Sequence, residues 1–354
     1  MYKAGLIGVT GYTGMELARI LACHPQIELT RATSRQEAGK KIEELYPFLR
    51  SYTIGSVVIE DFNAMALAKE CDIVFLAVPH GTAMKSAAEI LACAKEIDKP
   101  IKLVDLSADF RIKNAETFEA WYQIKHEHAN LLAQAVYGLF DIYENEIKHA
   151  RLIANPGCYP TASILGLYPA VKHGLIANDI IIDAKSGTTG AGRKAQLTSL
   201  FCEVYDNFRP YSIGGKHRHT PEIEQELSLA AQKDIFVSFN PHLLPIERGI
   251  LATIYAPLAK NISLEEIHTL YRETYTAAPF VRVLPLGQLP ETRNVRGSLF
   301  CDIALTVDKR TNKLIVTSAI DNLARGASMQ AVANANLCLG LPLDTGIHYA
   351  PLCP

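Results

Sequence analysis

Neither sign of charge dominates this chain: 35 Lys and Arg stand against 37 Asp and Glu, a formal net charge of -2. So even a balance gives no electrostatic basis for binding nucleic acid or an anionic membrane. Long hydrophobic runs are missing too; none reaches the roughly 18 residues a membrane helix needs. The opening residues, Met1-Tyr2-Lys3-Ala4-Gly5-Leu6-Ile7, run directly into a strand pattern, so no signal peptide is expected. The eight cysteines (23, 71, 93, 158, 202, 301, 338, 353) include no C-x-x-C pair and no zinc spacing. Their scatter argues against a disulfide framework or a structural metal site and suits a reducing cytoplasm. There is no internal repeat and no low-complexity linker. What remains is 354 residues, 49% hydrophobic and 20% charged, a composition that fits two globular domains.

The first 110 residues alternate short apolar runs with helical patterns. Residues 4–9, 27–33, 72–78 and 101–106 read as strands, the last two continuous apolar runs of the kind buried on both faces of a parallel sheet. Residues 15–23 and 83–93 read as helices between them. This predicts a doubly wound, Rossmann-type α/β domain. Beyond residue 158 the texture changes. A helix over 163–171 is followed by longer strand patterns at 179–185, 235–239, 250–256, 298–307 and 314–319, with few helices between them. That predicts an α+β domain built on a mostly antiparallel sheet. A final helix is expected over 323–339.

Gly8-Val9-Thr10-Gly11-Tyr12-Thr13-Gly14 places G-x-x-G-x-x-G between a strand and a helix. Glycines there permit the tight turn and let the backbone approach a pyrophosphate seated on the helix N-terminus. The alternative is a turn that only allows close packing, but the flanking strand and helix are those the binding mechanism requires. The second strand ends in Ser34-Arg35 rather than an acidic residue. An acid would hold a ribose 2′-hydroxyl, whereas an arginine suits a 2′-phosphate, so the pair favours NADP over NAD unless Arg35 is simply solvated.

Asn155-Pro156-Gly157-Cys158-Tyr159-Pro160-Thr161 follows a short apolar run and precedes a long one, setting a thiol where a strand turns into a helix. Unpaired backbone N–H groups and the helix dipole favour thiolate there, although a free cysteine is commonly just a buried one. A nucleotide domain followed by such a cysteine suggests a dehydrogenase working through a thioester. Gly214-Gly215-Lys216-His217-Arg218-His219-Thr220-Pro221-Glu222 supplies two histidines for proton transfer and two cations for an anionic substrate. A metal pair or a bland surface loop are the competing readings; the neighbouring cations and the lack of a third ligand cluster disfavour the metal. In an extended loop both histidine side chains would point the same way. Ser107-Ala108-Asp109-Phe110-Arg111 follows a parallel strand, making Arg111 a candidate anion clamp or an ordinary surface arginine. Ser186-Gly187-Thr188-Thr189-Gly190-Ala191-Gly192-Arg193 ends another strand and is either a ligand loop or a plain flexible one.

These motifs, in this order, resemble the N-acetyl-γ-glutamyl-phosphate reductase family, NADPH-linked enzymes of arginine biosynthesis. The resemblance also rests on His242-Leu243-Leu244-Pro245-Ile246-Glu247-Arg248-Gly249 and on Asp321-Asn322-Leu323-Ala324-Arg325-Gly326-Ala327-Ser328-Met329-Gln330, and it spans nearly the whole chain. It implies a fold shared with aspartate-semialdehyde dehydrogenase: an NADP-binding domain over 1–157 plus 322–354, and a catalytic and dimerisation domain over 158–321. Cys158 would be the nucleophile and His217 or His219 the acid/base. Gly8, Thr10, Gly11, Tyr12, Thr13, Gly14, Ser34, Arg35, Ser186, Gly187 and Asn322 would contact NADP, with Asn322 near the nicotinamide. Arg111, Asn155, Arg218 and Glu222 would contact the small acyl-phosphate substrate. Self-association through the second domain's sheet, as homodimer or homotetramer, is implied as well. Glu247 stands where an uncharged or basic residue is expected. Reduction of aspartyl phosphate, or of a carrier-bound aminoadipyl relative, is the nearest rival; a non-catalytic NADP-binding redox sensor would have no use for Cys158 together with the histidine loop.

Overall fold

The uninterrupted apolar runs of the first half become strands whose side chains are covered on both faces, as a parallel sheet demands. In the computed structural model, which describes residues 1–353, these are β1 (Tyr2–Ile7), β2 (Ile27–Thr33), β3 (Ile59–Glu60), β4 (Ile73–Leu76), β5 (Lys102–Asp105), β6 (Ala135–Tyr137) and β7 (Leu152–Ala154). They pair in the order β3-β2-β1-β4-β5-β7-β6, every neighbour parallel. The chain winds outward from β1 to β2 and β3, then returns to add β4 on the other side of β1. That reversal makes the crevice beyond β1 and β4 the place where such sheets take ligands. Helices Tyr12–Leu21 and Ala83–Glu96 are the expected crossovers.

The second sheet joins β8 (Ile180–Ser186), β9 (Arg209–Pro210), β10 (Val237–Leu243), β11 (Ile250–Pro257), β12 (Val281–Val283), β13 (Cys301–Asp308) and β14 (Lys313–Ile320). Its order is β12-β13-β14-β11-β8-β10-β9. The pairs β13–β14, β14–β11, β11–β8 and β10–β9 are antiparallel, and β12–β13 and β8–β10 parallel, so the sheet is mixed with antiparallel pairing predominant. Along β11 buried residues alternate strictly with half-buried ones, the period of a sheet covered more completely on one face. The covering element is helix Cys158–Lys172, in which all residues but Cys158, Tyr168 and Lys172 are buried. Tyr271 and Tyr275 clamp it, donating their hydroxyls to the carbonyls of Gly166 and Leu165.

Two expectations need correction. The second half holds more helix than its texture suggests, with Thr220–Ala231 and Leu264–Thr274 between its strands. The latter starts in a capping box, Ser263 Oγ accepting from Glu266 N–H while Glu266 Oε2 accepts from Ser263 N–H. The single final helix is also divided: a π turn over Ala324–Ser328 precedes the α-helix Met329–Cys338. The chain clusters into two units, Met1–Pro156 with Ala327–His348, and Gly157–Gly326 with the residues from Tyr349. The segment 322–354, expected as one piece of the first domain, is thereby divided between them.

Candidate active site

In the first unit each glycine of the loop after β1 has its own reason. Gly8 has φ +88°, and a Cβ there would strike the carbonyl of Ala77 just beyond β4. A Cβ at Gly14 would collide with Gly8 O and lie 2.9 Å from Val9 C and Cα. Gly11 differs: its φ is -76°, and an added Cβ would have no neighbour closer than 3.9 Å. Nothing within the fold requires glycine there, and the space in front of its backbone is open. Gly11 is also the N-cap of helix Tyr12–Leu21 and caps it with no side chain. The first N–H groups of that helix therefore have no partner within it. Thr10, Tyr12 and Thr13 are half-buried around this start, and the loop is braced by Tyr46 Oη donating to Val9 O and Ser328 Oγ donating to Thr13 O.

Gly8 N–H and Val9 N–H both donate to Thr33 O, at 3.1 and 3.3 Å, so the end of β2 lies beside the loop. Ser34 follows immediately, half-buried, its N–H on Glu60 O and its hydroxyl accepting from Gln36 N–H. Arg35 is exposed, whereas Arg31 is committed to Glu60 and Glu70.

Arg111 and Asn155, expected as substrate contacts, are both buried. Arg111 is 5% exposed; its Nε donates to Asn155 O at 2.7 Å and Nη2 to Leu106 O at 2.9 Å. Asn155 is fully buried, with Nδ2 donating to Ala327 O and Oδ1 accepting from Asn334 Nδ2. Held on main-chain carbonyls of its own unit, the guanidinium braces the turn after β7. Beside it, Asp105 accepts from Ser107 N–H and Oγ, and Asp109 accepts from the N–H groups of Gly81 and Met84. Burial, together with the neighbouring Asp109, pushes the Asp105 carboxyl up to about 7.

In the second unit Cys158 is the first residue of helix Cys158–Lys172, partly exposed, with Gly157 as N-cap and no side-chain cap. Pro160 removes a donor, which leaves the N–H groups of Cys158 and Tyr159 at the helix start. The N–H of Gly157 donates at 2.8 Å to Oε1 of Glu222, a fully buried carboxylate in the first turn of helix Thr220–Ala231. Glu222 thus ties the two helix starts together, where a substrate contact was expected. On another side Gly326 lies so close that a Cβ would sit 2.5 Å from Cys158 Cβ and 2.9 Å from its Cα. Only glycine leaves the Cys158 backbone room at that point.

The histidine segment is a turn, not an extended loop: Thr220 N–H donates to His217 O, and His219 N–H donates to His217 Nδ1 at 3.1 Å. The turn nonetheless brings the rings together, with centroids 4.9 Å apart. His217 packs edge-on against Tyr159, Tyr211 and Phe239 at 5.5, 5.6 and 5.2 Å. Burial in this aromatic surround, helped by the adjacent Arg218 cation, brings His217 down to about 4. Arg218 itself is exposed. Tyr211, absent from the sequence-based site, meets Tyr159 hydroxyl to hydroxyl at 2.9 Å. Burial pushes the Tyr211 phenol up to about 12 and the Tyr159 phenol above its ordinary value, so both stay protonated as neutral hydrogen-bonding groups.

Ser186, Gly187 and Asn322 form a further cluster in the same unit. Gly187 N–H donates to Gly249 O, and Asn322 bridges Gly249 N–H (2.7 Å) and Thr189 Oγ1 (2.9 Å). Ser186, the last residue of β8, is buried and donates its hydroxyl to Gly187 O. Thr188 and Thr189 bond to the carbonyls of Ile246 and Glu247. The unexpected Glu247 is explained here: its carbonyl does the bonding, while its carboxylate is 80% exposed near Arg296.

Residues 3–150 match the domain family described as semialdehyde dehydrogenase, NAD binding domain, and residues 158–322 match semialdehyde dehydrogenase, dimerisation domain. N-acetyl-gamma-glutamyl-phosphate reductase of Desulfotalea psychrophila is 50% identical over 355 residues, covering 100% of both chains. The proteins of that name from Pelotomaculum thermopropionicum and Geobacter sulfurreducens are 51% and 48% identical, covering 99% and 100% of each chain. Among solved structures, aspartate semialdehyde dehydrogenase II of Vibrio cholerae complexed with ASA gives a TM-score of 0.71 at 13% identity, over 96% of this chain and 98% of that one. Aspartate semialdehyde dehydrogenase with NADP from Candida albicans gives 0.68 at 17%, over 98% and 99%. At such identity these two likenesses establish the fold alone. Half-identity over the full length to the reductases goes further: the chain belongs to the N-acetyl-γ-glutamyl-phosphate reductase family.

Proposed function

We propose that this chain reduces N-acetyl-γ-glutamyl phosphate to N-acetylglutamate semialdehyde and phosphate, a step of arginine biosynthesis, with NADPH as reductant and Cys158 as the covalent nucleophile. The single observation carrying the chemistry is a partly exposed thiol at a helix start, followed by Tyr159, whose ring meets the histidine pair and whose hydroxyl meets Tyr211. The relatives' names supply the substrate. The open space before Gly11 and the helix start behind it, which has no side-chain cap, fit a dinucleotide pyrophosphate, and exposed Arg35 fits a 2′-phosphate. A fold relative is described with NADP. When bound, NADPH supplies a hydride.

The Cys158 thiolate attacks the acyl carbon, the C–O bond to phosphate breaks, and a thioester remains on the enzyme. The N–H groups of Cys158 and Tyr159 face the oxyanion that forms, a contact worth about 3–4 kcal/mol in other acyl-transfer enzymes. After reduction the thiohemiacetal loses its C–S bond, giving the aldehyde and restoring the thiolate. His217 or His219 supplies the acid/base group, Ser186, Gly187 and Asn322 contact the cofactor, and exposed Arg218 is a candidate cation for an anionic substrate. Metal is not part of this scheme. Eight free cysteines fit a cytoplasmic setting, and we expect a homodimer or homotetramer built through the second unit.

The test is phosphate-dependent NADP reduction with N-acetylglutamate semialdehyde beside aspartate semialdehyde. Turnover of the first at a much higher kcat/KM is expected. Preference for aspartate semialdehyde would overturn the substrate, and equal use of NAD the cofactor.

A further inference from the structure

His217 has four aromatic neighbours from four segments: Tyr159 on the helix that begins with Cys158, Tyr211 just after β9, Phe239 on β10, and His219 from its own turn. Tyr211 is the wall fixed by long-range pairing. The short strand β9 pairs Pro210 with His242 and Arg209 with Leu243, and Tyr211 N–H donates to Pro241 O at 3.1 Å. Its hydroxyl then meets Tyr159 Oη at 2.9 Å, and Tyr159 Oη in turn lies 3.3 Å from His242 O as a donor. Backbone and hydroxyl together hold the ring in place. The three rings stand at 86°, 65° and 75° to the imidazole, so the box surrounds it with aromatic carbon, and its two hydroxyls bond to each other and to a carbonyl.

Within that box the proton's place is also determined. His217 Nδ1 accepts the His219 N–H, so in the neutral ring the proton sits on Nε2. Protonating Nδ1 would lose this bond and set one N–H against another. We propose that Tyr211 is a positioning residue that, with Tyr159 and Phe239, holds His217 as a neutral imidazole protonated on Nε2. His217 then serves the reaction as a neutral hydrogen-bond donor through Nε2. The downward displacement of His217 by burial accords with this. The titratable groups around it are Cys158, Tyr159, Tyr211, Arg218, His219 and, through the carbonyl that accepts Tyr159, His242. Both phenols stay neutral, Arg218 opposes protonation, and a Cys158 thiolate favours it. The proposal concerns the state of one ring and does not depend on which acyl phosphate is reduced.

The experiment is long-range ¹H–¹⁵N correlation spectroscopy of the full-length protein carrying ¹⁵N-histidine, titrated from pH 4 to 8, with His217→Asn for assignment. The expected wild-type result is an Nε2–H tautomer whose midpoint lies below free histidine by at least tenfold in proton affinity. Tyr211→Phe keeps the ring and should leave the midpoint within threefold. Tyr211→Ala opens the box to water and should raise proton affinity at least tenfold, with Tyr211→Leu as the variant if alanine prevents folding. An Nδ1–H tautomer, a wild-type midpoint near that of free histidine, or a midpoint that does not move when the ring is removed would each overturn the proposal.

Discussion

At the residue scale, the proposed role of the Cys158 thiol rests on its address. Cys158 is the first residue of a helix whose N-cap, Gly157, has no side chain, so the positive end of the dipole lies at the thiol. Serine at that position has no accessible anion near neutral pH. Cys158→Ser should therefore drop kcat by much more than tenfold, a barrier increase above ~1.4 kcal/mol, while NADP affinity stays within a few-fold by fluorescence titration. The histidines contribute unequally to the thiol. With its pKa brought down to about 4, His217 carries no charge near neutral pH and cannot electrostatically stabilise a thiolate. In alkylation rate measured against pH, His217→Asn should leave the apparent thiol pKa in place. An upward displacement would show that His217 acts as an imidazolium after all.

At the scale of elements, the β1-to-helix loop separates two uses of glycine. Gly14 is needed for packing: a methyl there meets the backbone of Gly8 and Val9, which cannot move aside without opening the turn. Gly14→Ala should lower the melting temperature, by the 1–3 kcal/mol typical of overpacking, and abolish dinucleotide binding. Gly11→Ala meets nothing inside the chain and keeps its φ, so it should melt like the wild type yet bind NADP at least tenfold more weakly. Equal binding by Gly11→Ala would mean that no ligand backbone approaches there. One strand over, Thr33 accepts from the loop and delivers Arg35 into solvent beside it. Arg35→Asp replaces a phosphate partner with a like charge and should weaken NADPH far more than NADH. Parallel losses for the two cofactors would remove Arg35 from the 2′-phosphate.

At the scale of the whole molecule, the buried Asp105 makes stability depend on pH. Its folded pKa, about 7, lies above the ordinary carboxyl value of 3.8, because burial and Asp109 both disfavour its anion. The folded state thus holds a proton that the unfolded chain releases. That contribution is complete below about pH 4 and is lost as the pH rises through 7. Asp105→Asn keeps a neutral group in place, so the melting temperature of the variant relative to wild type should rise between pH 5 and pH 8. A difference that is flat over that range would show that Asp105 is not protonated in the fold.

The sequence by itself determined the parts in which a local pattern is the cause. Continuous apolar runs require burial on both faces, which gave the parallel sheet; the change to alternating strands gave the mixed one. The glycine loop and the Asn-Pro-Gly-Cys turn were legible because turn, dipole and close approach are properties of adjacent residues. A capping signature at Ser263 and Glu266 was also present, and it marks a helix that strand-rich texture obscured. Polar residues were another matter. Arg111, Asn155 and Glu222 carry the right chemistry for a substrate, yet each is buried on a backbone partner far away or around a turn. Tyr211 showed no signal, because only the pairing of β9 with β10 brings it to Tyr159 and His217. Periodicity records how much of a side chain is buried; the identity of its partner is a long-range fact. Which polar groups brace the fold and which face a ligand was decided by the tertiary structure.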